Sequence, residues 1–169
     1  MNADQQLRRR CEARLRALTP DGPLRLDRFI ADVVTSRPRP LSFVPVSLLG
    51  RPYGLWLTDG ETECIWYERD TTPSHQRHII LHELCHLLCG HQPLEPGALD
   101  APVPHLDRER LRAIMLRSGY TIEQEREAEM LASLISERAS AGQEDADTDT
   151  QSLRLLQMLG GGGEVRTGG

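Results

Sequence analysis

"IILHELCHLLCGH" (residues 79–91) is the stretch on which the reading of this chain turns. Two histidines, His82 and His86, stand four apart with Glu83 beside the first, inside an otherwise apolar run. Thr72 and Ser74 upstream are N-cap candidates and Gly90 is a C-cap candidate, so the segment predicts one helix running to Gly90. Ile79, Ile80, Leu84, Leu87 and Leu88 supply its buried side. On such a helix, positions i and i+4 project from one face about one turn apart.

That spacing lets two imidazole nitrogens converge on one tetrahedral cation. Glu83 then stands beside the cation rather than under it, placed to take a proton from water that the cation activates. The competing reading is a core helix whose polar residues happen to share a side. A third ligand separates the two. The H-E-x-x-H-x-x-G-x-x-H pattern is excluded, because Cys89 and Gln92 stand where it needs glycine and histidine. Cys89 is a poor ligand candidate, since one tetrahedral centre does not accept i, i+4 and i+7 from a straight helix. His78 could pair with His82, but that leaves Glu83 without a role. His91, His105 and Tyr120 could donate hydrogen bonds near such a centre, although each reads first as a surface polar group.

Downstream, "TIEQEREAEMLASLI" (121–135) predicts a helix started by Thr121, with Glu125 and Glu129 on one face and Leu131, Leu134 and Ile135 on the apolar side. The acidic pair is similar to the E-x-x-x-D/E element of zinc peptidases whose third ligand is a glutamate. That likeness makes Glu125 the third ligand. It makes Glu129 the carboxylate that receives a hydrogen bond from a ligand histidine and fixes its tautomer. Ala128 between them is small, as close packing of the two helices requires.

Together, "HELCHLLCGH" (82–91) and "EREAEMLASLI" (125–135) resemble the ImmA/IrrE family of metallopeptidases, over roughly residues 40–138. Met130-Leu131 and "LISER" (134–138) depart from the family's usual segment without touching the acidic pair. The resemblance implies Zn2+ held by His82, His86 and Glu125, with Glu83 as general base. It also implies a zinc endopeptidase of restricted specificity, acting on a protein such as a helix-turn-helix transcriptional repressor. The alternative is a non-catalytic partner of a DNA-binding regulator or toxin–antitoxin-like system, with a structural or vestigial metal.

The rest of the chain bounds these readings. Its 25 acidic and 20 basic residues give a formal net charge of -5, which argues against direct nucleic-acid binding. The arginine-rich run "LRRRCEARLR" (7–16) reads as a solvated helix face. Four cysteines without C-x-x-C spacing fit free thiols in a reducing compartment. The polar N-terminus and the lack of a long apolar run predict a soluble, cytoplasmic protein with no membrane partner.

Helices are expected at 3–18 and 24–36, the second stopped by "RPRP" (37–40). "LSFVPVSLL" (41–49) reads as a strand pushed to a sheet edge by Pro45. "YGLWLTDGETECIWYE" (53–68) reads as a hairpin turning at Asp59-Gly60; it holds both tryptophans and two of the three tyrosines and is expected to floor a cleft. A loop at 92–105 and helices at 106–118 and 121–139 follow, then an acidic, glycine-rich tail from Ala141, largely disordered, with "SLRLLQML" (152–159) as a marginal helix. The expected organisation is N-terminal helices (1–36), a metallopeptidase core (37–140) and a tail (141–169). The expected fold is α+β: a minimal zincin-like domain, with a short antiparallel sheet packed on the H-E-x-x-H helix and a C-terminal ligand helix.

Overall fold

The computed structural model describes residues 2–19, 22–48, 53–58, 60–93 and 119–141. The expected loop beyond residue 93, the helix at 106–118, the tail, Asp59 and His105 lie outside the described residues. No helix among the described residues is long and apolar enough to cross a membrane.

The fold is α+β: four helices and a three-stranded sheet are described. Helix α1 (Ala3–Leu18) opens with a capping box, in which Asn2 and Gln5 satisfy each other's backbone amides. Helix α2 (Leu26–Ser36) starts two residues later than periodicity suggests and stops before "RPRP". Strands β1 (Leu41–Val46), β2 (Gly54–Thr58) and β3 (Glu63–Glu68) follow, then α3 (Pro73–Leu88) and α4 (Ile122–Ser140).

The sheet is mixed, which corrects the antiparallel expectation. Its order is β1-β3-β2, with β2 antiparallel to β3 and β1 parallel to it. The cause is β3's central position: after the β2–β3 hairpin, the only open edge of β3 is the one β1 takes, running the same way. Pro45 sits on that edge strand, where a missing donor is tolerated.

Alternation along the strands divides the apolar residues between two faces. Phe43, Ile65 and Trp56 lie in one row across the sheet and join Leu41 and Tyr67 in the main core. Leu55, Leu57 and Trp66 form a second cluster on the opposite face with Leu48. Both tryptophans are therefore buried in cores, one on each face.

Helix α3 packs between the sheet and α4, and α1 packs along α4. Cys11 and Leu15 of α1 and Phe29, Ile30 and Val33 of α2 belong to the same core as α3 and α4. The arginines of α1 are not simply solvated: Arg10 and Arg14 reach Glu127 of α4, and Arg8 reaches Glu137.

Candidate metal centre

Thr72 caps α3 by accepting from His75 N–H, and Pro73 occupies the first turn, where its missing donor costs nothing. The helix then carries His82 and His86 on one side. Thr121 caps α4 with a reciprocal bond to Gln124, which fixes the start of the helix one turn before Glu125. Ala128, fully buried, lets α4 lie close to α3.

The consequence is convergence. His86 Nε2 lies 3.1 Å from His82 Nε2, Glu125 Oε2 lies 3.2 Å from His82 Nε2, and Glu125 Oε1 lies 3.8 Å from His86 Nε2. Ligand atoms at zinc's usual nitrogen and oxygen distances stand about 3.4 Å apart at the corners of a tetrahedron. The donor set thus fits a zinc-sized ion in spacing and in chemistry: two imidazoles and a carboxylate. Glu129 Oε2 sits 3.2 Å from His82 Nδ1, on the side of that ring away from the convergence point.

Glu83 is wedged under the sheet edge. It is 5 % exposed, hydrogen-bonded by the Trp56 backbone N–H, and its Oε2 has no hydrogen-bond partner. Burial, reinforced by nearby Glu125 and opposed by the Trp56 amide, pushes its pKa up to about 8. Burial, then the neighbouring His82 and His86's contact with His91, holds the His86 pKa down to about 3. A cation at the convergence point would draw Glu83 back toward the carboxylate form.

Two residues read first as surface polar groups pack against His86, His91 buried and Tyr120 half-buried. His91 is 7 % exposed, with its Nδ1 2.8 Å from His86 Nδ1 and its Nε2 3.4 Å from Glu127 Oε2. Tyr120 stacks on the His86 ring, centroids 3.5 Å apart and planes at 16°. Its hydroxyl pKa is raised by burial and then by Glu83 and Glu125. The local cause for His91 is the end of α3. Gly90 adopts φ +76°, His91 N–H donates to His86 O and Gly90 N–H to Leu87 O, a Schellman motif that folds His91 back over His86. The glycine was legible as a helix stop; that the same motif sets the next residue against the one five earlier is the signal that finds His91.

Cys89 does not join His82 and His86; it groups with His91 and Glu127. Burial raises its thiol pKa to about 11, and that of Cys85 also rises well above the usual thiol value, so neither is an activated nucleophile. His78 stays on the helix surface, 3.7 Å from Glu129. A cavity of about 500 Å³ adjoins His82, Glu125 and Glu129, lined also by Asp4, Leu7, Arg126, Met130 and Ser133. Comparison with known proteins returns no match, whether to family models, curated sequences or solved structures.

Proposed function

We propose that the chain is a zinc-dependent endopeptidase of restricted specificity. The observation that carries this reading is the convergence of His82, His86 and Glu125 beside a buried Glu83 whose Oε2 lacks a partner. The donor set has three protein ligands, with Glu125 half exposed, which suits an open catalytic position better than a closed structural one.

Zinc held there would supply a Lewis acid that polarises a peptide carbonyl and acidifies water. His82 and His86 present Nε2 atoms to it, and Glu129 holds the His82 ring from behind. Glu83 Oε2 takes a proton from the attacking water and delivers it to the leaving amide nitrogen. The Trp56 amide keeps that carboxylate oriented. The Tyr120 ring clamps His86 from one side. The cavity beside His82 offers room for a side chain of a bound peptide. The resemblance to ImmA/IrrE metallopeptidases extends the proposal to a cytoplasmic enzyme whose substrate is a regulatory protein of the helix-turn-helix repressor type.

The deep burial of Glu83 and His86 favours a second reading, a non-catalytic partner protein with a structural metal. One experiment separates them. The purified chain is assayed for zinc by elemental mass spectrometry and then incubated with a complex peptide library. Zinc near one per chain, with cuts that a chelator abolishes, supports the peptidase; zinc without cuts supports the binding protein; absence of zinc after reconstitution rejects both metal readings.

A further inference from the structure

Two histidine rings meet nitrogen to nitrogen at the end of α3. His86 Nδ1 and His91 Nδ1 are 2.8 Å apart, and both residues are buried. At that distance one nitrogen must carry the hydrogen and the other must accept it. A single proton therefore sets the tautomer of both rings.

Glu127 decides where it sits. If the proton is on His86 Nδ1, then His91 carries its own hydrogen on Nε2, aimed at Glu127 Oε2, and His86 Nε2 is left bare toward His82 and Glu125. The opposite arrangement sets a bare His91 Nε2 against a carboxylate oxygen and turns an N–H into the space between His82 and Glu125. Glu127 is held in place by Arg14 and Arg10 of α1, at 3.7 and 3.8 Å. In the second arrangement the His86 Nε2–H can donate to His82 Nε2, but a bare His91 Nε2 then faces the Glu127 carboxylate and His86 has no lone pair left for a cation. Only the first arrangement satisfies the His91–Glu127 contact and leaves His86 Nε2 free to bind one.

Cys89, His91 and Glu127 form a second group with metal-ligand spacing. A cation there would need His91 Nε2 bare, which forces a hydrogen onto His86 Nε2. It would also sit beside two guanidinium groups. The two groups cannot both hold a metal through neutral rings, and the arginines favour the first.

We propose that His91 is a positioning residue for the metal centre: it accepts the Nδ1–H of His86 and passes its own Nε2–H to Glu127, so that His86 presents a bare Nε2. This rests on the reading of His82, His86 and Glu125 as that centre. It also ties α1 to the site, through Arg10 and Arg14.

The test is titration of Zn2+ into the metal-stripped full chain. His91→Phe, which keeps a ring but removes the acceptor, is expected to weaken zinc binding roughly 10- to 100-fold. His91→Gln, which restores an accepting oxygen, recovers most of that loss, and Glu127→Gln weakens binding in the same direction but less. In the zinc-loaded wild type, long-range nitrogen–proton NMR correlations should find hydrogen on His86 Nδ1 and His91 Nε2, a readout that needs no variant. Undiminished zinc affinity in His91→Phe overturns this inference alone, as does hydrogen on His91 Nδ1. So does a thiolate–Cd2+ charge-transfer band that Cys89→Ser abolishes. A wild type that binds no zinc overturns the centre and this inference together.

Discussion

Gly54 and Glu83 leave no room for an atom between them. A methyl group built on Gly54 would stand 2.8 Å from Glu83 Oε1, 2.9 Å from Glu83 Cγ and 2.6 Å from Ile79 Cγ2. The edge strand β2 thus lies directly on α3 at the carboxylate, and glycine is what permits the approach. Gly54→Ala should lower stability by about 1–3 kcal/mol through this overpacking, read as a lower urea midpoint. An unchanged midpoint would mean that strand and helix separate at little cost.

Glu83→Gln keeps the shape of the side chain and removes its capacity to take a proton. Zinc content should match the wild type while turnover on any cleaved peptide falls by roughly 10²- to 10⁴-fold. Retained turnover would remove Glu83 from the mechanism.

Glu125→Ala deletes the only donor of the convergent set contributed by α4. Zinc occupancy after dialysis should fall far below one per chain, with little change in the melting temperature of the metal-free protein, because the Glu125 side chain is half exposed. Full occupancy would point to a different third ligand.

The metal-free protein should show a stability plateau with two limbs. Glu83 has its pKa raised from 4.5 to about 8, so between those values the unfolded chain releases a proton that the folded chain keeps, and stability falls as pH rises. His86 has its pKa lowered from 6.5 to about 3, so between those values the unfolded chain binds a proton that the folded chain refuses, and stability falls as pH drops. From 4.5 to 6.5 the two slopes oppose each other. The contribution of this pair is therefore nearly flat there, declining above 6.5 through Glu83 and below 4.5 through His86. Urea melts across pH 3–8 check this, and Glu83→Gln should erase the alkaline limb and let the acid decline begin at 6.5.

Much of this was legible locally. Thr72 and Thr121 announce the starts of the two site helices, because capping is a matter of three or four neighbouring residues. The i, i+4 spacing of His82 and His86 and of Glu125 and Glu129 carries their shared faces for the same reason. Nothing local records that β1 runs parallel to β3, since Leu41 pairs with Glu63 and the choice belongs to the sheet. Nor does the arginine run of α1 disclose that Glu127 awaits it on α4. The burial of His91 lies between these cases: Gly90 marks the motif, but Tyr120 and Glu127, which complete its surroundings, come from far along the chain.

The packing of α1 along α4 joins residues more than a hundred positions apart, as where the Cys11 thiol donates to the Glu127 carbonyl. Order of assembly follows from that separation. The histidine pair exists as soon as α3 winds, a local event, whereas Glu125 arrives only when the last described helix docks and the first closes over it. During synthesis the convergence of His82, His86 and Glu125 stays incomplete until that late, long-range closure. If the proposed peptidase reading holds, its activity is withheld until folding has finished.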